Sequence, residues 1–457
     1  MRAFVVDQPR TGALRALNYA PSLERIRRAG SNSARPLRQL VKAFGPAYGT
    51  MFTRLDCHPD HGVRLLSQTD TFAAEPLGRI VRKDSLEHPD RHEIRRWQVL
   101  IAGAGQMGES NLFGKSIIAD ARLEGGFVGP DTFVLGFEEP GSDLNLWTYA
   151  VLNSSLGVQG ILSSAYGTSI PHLRGDILGT IPIPDAPADL MRRVANLIRK
   201  TVAYRESYLR DMVNARALFE RLPEMQAAHE MCVERRRRTV LWNGPFPSLC
   251  AWTFASTAGA LAFLRARLRS RVSDMVEPGG IFRGGRYARV PCSAPYGVDF
   301  MSQRDAFMIR PSPQVIRLPS ADLMPQPGTI MVGGQGTLGE GEIFGRAALV
   351  SDSGAKCAWT EHLLRIIPRK GEEARLYAFL TTIVGFRLLR STAVGTKLLS
   401  MRPDILLDLP IPVLPHGDAK RVDALVRAAI TARAAADVAE AEATSIIEKE
   451  VLPQWLA

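Results

Sequence analysis

RGDILGTIPIP, Arg174 to Pro184, is written again as RPDILLDLPIP, Arg402 to Pro412, with seven of eleven positions identical at an offset of 228. The stretch decides the fold because its neighbours repeat with it, in the same order. GVRLLSQTDTF (Gly62 to Phe72) returns as GVDFMSQRDAF (Gly297 to Phe307) at an offset of 235, and GQMGESNLFGK (Gly105 to Lys115) returns as GTLGEGEIFGR (Gly336 to Arg346) at 231. Offsets that shrink slowly and never change order describe a duplicated unit with small insertions and deletions. A period this long lies far beyond any solenoid repeat and means two homologous domains.

Each repeat runs from a strand-rich part to a helical part. Between about Leu37 and Phe137, frequent Gly and Pro punctuate short runs such as Phe127-Val128 and Thr132-Phe133-Val134-Leu135, which predict short strands. A helix is predicted over Leu146–Ser164, matched by Arg375–Arg390, because Tyr149, Ala150, Leu152 and Gly157 recur as Tyr377, Ala378, Leu380 and Gly385. The IPIP and LPIP prolines then forbid helix and force an extended segment.

Both repeats close on a long helical pattern. In the first, Leu190, Val194, Leu197, Thr201, Tyr204, Tyr208, Ala215, Leu218 and Leu222 fall on steps of three, four or seven; in the second, Val422, Leu425, Ala429, Ala432, Ala436, Ala439, Ala443 and Ile446 fall on steps of three and four. The second stripe is mostly alanine, so a partner helix can approach closely, and the Tyr and Leu of the first fill the groove. The two are therefore predicted to pair antiparallel, each roughly 35 residues or ~50 Å long.

Composition bounds the partners. With 57 Lys+Arg against 46 Asp+Glu the 457-residue chain carries +11 at pH 7, which favours a polyanion such as nucleic acid. Hydrophobic residues at 46% suffice for two or three packed domains. The five cysteines are odd in number and contain no CxxC, so neither a disulfide framework nor a structural zinc site is expected, and the expected compartment is the reducing cytoplasm. MRAFVVDQPR lacks the apolar core of a signal peptide, and the longest apolar run, near Phe254 to Leu264, is too short to span a bilayer.

The order of parts and the local text together resemble the specificity subunit of Type I restriction–modification systems. GTSIPHLRGDILGTIPIPD (Gly167 to Asp185) and GTKLLSMRPDILLDLPIPV (Gly395 to Val413) look like that family's junction between recognition domain and helix, and MPQPGTIMVGGQGTLGEGEIFGRAALV (Met324 to Val350) looks like its Gly-turn β segment. The resemblance implies an α+β fold: two homologous β-rich target-recognition domains separated by a long antiparallel two-helix coiled coil, with pseudo-twofold symmetry. The corresponding boundaries are residues 1–185 for the first recognition domain, 186–222 for the first spacer helix, 223–413 for a linker and the second recognition domain, and 414–457 for the second spacer helix. It further implies a non-catalytic, sequence-specific DNA-binding subunit with no cofactor of its own. Its expected partners are double-stranded DNA, DNA adenine methyltransferase subunits, two of them, and in the family also a restriction translocase. The junction residues Arg174, Asp176, Arg402 and Asp404 become candidates for docking those partners.

Other motifs compete with this reading. GAGQMG (Gly103 to Gly108) and GQGTLG (Gly334 to Gly339) match G-x-G-x-x-G, but a phosphate-binding loop needs a helix straight afterwards. The text that follows has Gly breaks and β-branched residues, so a strand-turn-strand is predicted instead. Lys115 and Arg346, basic in both repeats, are candidate phosphate contacts, as are Arg265, Arg267, Arg269 and Arg271 and the run ERRRR at Glu234 to Arg238. Cys57, His58 and His61 suggest a metal cluster, but their counterparts are Cys292, Ser293 and Tyr296, so the histidines are not part of the common design and the cysteines are expected to be core thiols. His88 and His92 are expected on a surface segment. NGPF (Asn243 to Phe246) lacks the second proline of an adenine-methyltransferase motif. Two alternatives stay open: an S-adenosylmethionine-dependent methyltransferase using the Gly-rich turns, and an adaptor using its helices for protein contacts alone.

Overall fold

The computed structural model describes residues 34–46, 53–86, 88–108, 111–167, 170–233, 257–293, 295–318, 320–339 and 341–456. ERRRR and NGPF lie outside the described residues. The fold is mixed α+β, with several small sheets and long helices. It divides into two compact units, Met1–Glu206 with Ala435–Ala457, and Ser207–Ala434.

In the first unit, β1 (Ala34–Pro36), β2 (Ala43–Pro46), β3 (Gly62–Leu66), β4 (Arg79–Arg82), β5 (Val99–Ala102), β6 (Ser116–Ile118), β7 (Phe127–Val128), β8 (Thr132–Gly136), β9 (Ala165–Tyr166), β10 (His172–Leu173) and β11 (Pro182–Pro184) form small sheets. One has four strands in the order β2-β8-β5-β6, another three in the order β4-β3-β7. The short strands expected at Phe127 and Thr132 are present as β7 and β8, and the IPIP segment is extended as β11, paired antiparallel with β1.

The second unit repeats this plan. Its strands are β12 (Val276–Arg283), β13 (Val298–Met301), β14 (Gln314–Ile316), β15 (Ile330–Gly333), β16 (Gln335–Gly336), β17 (Ala347–Leu349), β18 (Ala358–Trp359), β19 (Leu363–Pro368), β20 (Ala393–Val394) and β21 (Leu399–Met401). The four-stranded order β12-β19-β15-β17 and the three-stranded order β14-β13-β18 match the first unit strand for strand. In both units the middle strand of three, β3 or β13, runs antiparallel to one neighbour and parallel to the other.

The helix expected over Leu146–Ser164 is two helices, α1 (Asp143–Leu152) and α2 (Ser155–Ser163). The break comes from Ser154, whose hydroxyl accepts from Gly157 N–H at 3.1 Å and starts a new helix. A Cβ on Gly157 would lie 2.0 Å from Val151 O, which explains why glycine recurs there. In the second unit Thr382 and Gly385 repeat the device, and a Cβ on Gly385 would lie 2.1 Å from Phe379 O.

Two long helices, α3 (Ala188–Glu220) and α8 (His416–Ile446), each contribute a part to each unit. In the first unit Arg193 pairs with Glu450 at 3.0 Å and Arg205 with Glu440 at 2.7 Å, so these segments run antiparallel. Buried along α3 are Val194, Ala195, Ile198, Thr201, Val202, Arg205, Tyr208, Met212, Ala215, Leu218 and Phe219. That corrects the expected stripe at Tyr204, which is 38% exposed, and at Leu190, Leu197 and Leu222, which are half-buried. Along α8, Val426 and Glu440 join the buried face, as does Ile447 just beyond it, while Leu425 and Ala432 stay half-buried. The cause is a charge placed where apolar residues were expected: Arg205 is fully buried because Glu440 meets it there.

Within residues 223–413, expected to hold a linker and the second recognition domain, lie α4 (Pro223–Val233) and α5 (Thr257–Arg267), which pack on each other. They also pack on α7 (Ile383–Ser391), which follows α6 (Glu373–Thr381). The first unit's core gathers Leu37, Val99, Phe133, Trp147 and Tyr149 with Val194 and Ile198 of α3 and with Ala443, Ile446, Ile447, Val451 and Leu452. Among the described residues no helix is long and apolar enough to cross a membrane.

Candidate functional site

The three repeated motifs converge on one hairpin in each unit. GAGQMG turns β5 back onto the antiparallel β6, and GQGTLG turns β15 back onto β17, so strand rather than helix follows the glycines, as the Gly breaks predicted. The SQxD motif caps its own turn: Ser67 and Asp70 exchange hydrogen bonds, as do Ser302 and Asp305. Its glutamine reaches the hairpin. Gln68 Nε2 donates to Ala104 O at 2.8 Å, and Gln303 Nε2 donates to Gln335 O at the same distance. The junction motif closes the other side, since Ala104 bridges His172 in the first unit and Gln335 pairs with Ser400 in the second. Motifs far apart in the text are repeated because each braces one turn.

The glycine that opens the SQxD strand has its own reason. A Cβ on Gly62 would lie 2.5 Å from Cys57 Sγ and one on Gly297 lies closer still, at 2.3 Å, to Cys292 Sγ. Each thiol sits where a side chain would otherwise be, which accounts for cysteine and glycine recurring together. Among the described residues no group of three His, Cys, Asp or Glu is arranged to hold a metal ion. His92 is not on a surface segment: it is fully buried, and its Nδ1 lies 3.0 Å from Val128 O because its backbone is laced to β7.

Lys115 and Arg346 stand at the base of the hairpins, where their carbonyls accept from Ala102 and Gly333. Both are half-buried. The Arg346 guanidinium lies 4.9 Å from the Phe386 ring centroid and donates to Glu342 O at 3.1 Å. Of the arginines near α5, Arg265 donates to Asp408 at 2.5 Å and Arg271 lies 3.6 Å from the same carboxylate, joining α5 to the junction. Arg267 covers the Phe263 ring at 3.9 Å, and Arg269 is exposed. At the junctions Arg174 Nε donates to Asp176 at 3.0 Å and Arg402 Nε to Asp404 at 2.9 Å, two residues apart each time. These arginines hold both aspartate carboxyls below their ordinary values.

Sequence reading missed what differs above this common frame. In the second unit Gln335 contacts His362, Arg289 meets Glu361 at 3.1 Å, and Arg283 donates to Gly334 O. At the equivalent places the first unit has Ala104, Asp131, Arg54 and Pro130 around its hairpin. The buried Arg390 also donates to the carbonyls of Leu338, Gly339 and Phe344, stapling the second hairpin's loop, where the first unit has Leu162. Backbone frame is constant, and of these polar side chains only the arginine, Arg54 or Arg289, is the same in both units.

Solved structures similar to this chain include S (HsdS) subunits. The S subunit from M. genitalium is 14% identical, with 93% of this chain and 96% of that chain covered and a TM-score of 0.28. The HsdS subunit from Thermoanaerobacter tengcongensis is 14% identical, covered at 93% and 96%, with a TM-score of 0.27. A chain from work on complex assembly and conformational transition of the type I R-M system is 15% identical, covered at 93% and 98%, with a TM-score of 0.27. No family model matches the chain, and no curated protein matches it.

Proposed function

We propose that this chain is the specificity subunit of a Type I restriction–modification complex, a non-catalytic protein that reads a split duplex site and brings methyltransferase subunits, and in restriction a translocating nuclease, to it. One observation carries the reading: two units hold the same braced hairpin while most of the polar side chains upon it differ. That is what two readers of different base sequences need, a constant scaffold and variable contacts. Surplus positive charge suits the same partner. The methyltransferase alternative is disfavoured because a strand follows each Gly-rich turn, leaving no helix N-terminus to receive a cofactor's charged groups.

The buried faces of α3 and α8 support a ruler. Positions from Val194 to Phe219 recur from Val422 to Ile447 at one offset, 228, which is also that of the junction motif. An antiparallel pair of such helices has an approximate twofold axis, and so have the two backbones of duplex DNA. At ~50 Å the spacer exceeds the ~34 Å of one duplex turn, so two half-sites with a gap between them are read. Arg269, Arg267, Lys115 and Arg346 supply candidate phosphate contacts, and the Arg174–Asp176 and Arg402–Asp404 clasps supply candidate partner contacts.

The test is a gel shift of the full chain, alone and with the methyltransferase subunit encoded with it, on random duplexes, followed by recovery of the bound sequences and an S-adenosylmethionine titration. A gapped two-part sequence bound without methyl transfer by the chain alone is expected. Methyl transfer by the chain alone, or a continuous recovered site, overturns the reading.

A further inference from the structure

The first unit closes a space that the second leaves open. Trp147 and Arg375 hold equivalent places in the repeat, two residues before Tyr149 and Tyr377. Trp147 is fully buried, and its indole N–H donates to Pro184 O at 2.8 Å. The equivalent proline of the second unit, Pro412, instead lines a cavity of about 220 Å³ walled by Phe219, Met275, Ile411 and Leu414. Arg375, also in the wall, is drawn aside to Glu372 at 2.9 Å and Asp423 at 3.5 Å. The rims differ as well. Asp185 pairs with Arg35 at 3.1 Å, whereas its counterpart Val413 is 75% exposed.

We propose that this cavity is a docking pocket for an aromatic side chain of the methyltransferase subunit, an indole above all. The inference rests on the function proposed above and adds the anchor. Its occupant is read from the first unit, where the chain lays its own indole against the same proline. Charge adds a second criterion. Glu372 and Asp274 line the pocket, and Asp423 stands behind Arg375. Burial raises the carboxyls of Glu372 and Asp423 above their ordinary values, a cost that a cation brought in by the partner relieves. The anchoring segment therefore carries an aromatic residue beside a Lys or Arg. An anchor of this kind in a desolvated pocket dominates an interface while the contacts around it mainly exclude water. Two methyltransferase copies are then held unequally, because in the first unit the equivalent place is already filled.

The experiment uses the full chain co-expressed with its methyltransferase subunit and two variants. Arg375→Trp plugs the pocket with the residue the first unit carries there, and Val413→Arg places on the exposed rim a charge that repels the partner's Lys or Arg. Both are expected to melt as the wild type does, to bind the methyltransferase about 30-fold more weakly, and to lose one methyltransferase copy by native mass spectrometry. Arg375→Ala, which widens the pocket, keeps both copies. Wild-type assembly by both plugged variants overturns the inference. So does a self-association of the chain alone that Arg375→Trp abolishes, since a second copy would then be the occupant. If Arg375→Trp does not fold, Val413→Arg decides alone. A wild-type chain that binds DNA but no methyltransferase removes the functional reading itself, an outcome distinct from equal binding by the variants.

Discussion

Arg205 is fully buried, its Nη2 on Glu440 at 2.7 Å, and Tyr149 donates its hydroxyl to the other oxygen of that carboxylate at 2.5 Å. Burial works to lower the Arg205 value, yet Glu440, Tyr149 and Asp120 together outweigh it and the guanidinium is held above its ordinary range. Removing one partner strands the other charge, so Glu440→Leu should cost about 3–5 kcal/mol, and adding Arg205→Met should restore most of it. Urea midpoints of the single and double variants decide, and equal midpoints would show that the pair is not coupled. The sequence hid this pair. Equivalent positions carry Arg433 and Met212, so the repeat gave no sign that a carboxylate waited for the arginine. Asp404 shows the opposite, a contact legible at once from R-x-D written twice. Arg402 holds its carboxyl low, so the clasp stabilises the fold above the ordinary aspartate value of about 3.9 and is lost as pH falls through the depressed folded value. Because the carboxylate is mostly exposed the contribution is small. In Arg402→Ala the Asp404 carboxyl resonance should titrate at a higher pH than in the wild type, and an unmoved titration would remove the clasp from the account.

Elements were legible where a backbone rule governs them. Prolines set the extended junction, and glycines announced a strand-turn-strand. The break between α1 and α2 was written too, in Ser154 and Gly157 and again in Thr382 and Gly385, but an apolar run across it reads as one helix. Gly157→Ala and Gly385→Ala each force a Cβ onto a carbonyl oxygen that cannot withdraw without opening the preceding helix. Each should lower stability by about 3 kcal/mol, measured as a drop in the denaturation midpoint. Gly417, where nothing lies within 4 Å of an added Cβ, is the control and should gain or lose little when changed to alanine. Stripes along α3 and α8 were off by one residue at Leu197, Tyr204 and Leu425 and held at Leu218, Ala439 and Ile446; apolar period alone does not tell a paired charge such as Arg205 from a solvated one.

For the whole molecule the duplication was plain in the text, and the two compact units repeat one strand order. On the proposed function, the bases each unit would read are not written in the text, since loop side chains reach base edges by geometry rather than by pattern. If α3 and α8 are a ruler, seven residues inserted in each, between Tyr204 and Ala215 and between Ala432 and Ala443, keep the heptad and lengthen the pair by ~10 Å. At ~3.4 Å per base pair the half-sites should move apart by about three base pairs with their sequences unchanged. Single-molecule methylation sequencing reads the spacing, and an unchanged gap would end the ruler model. One feature of the division into units bears on synthesis. The first unit's core takes in Ala443, Ile446, Ile447, Val451 and Leu452, residues that leave the ribosome only after the whole of the second unit. The first unit's core can therefore be completed only after the chain of the second unit has been made.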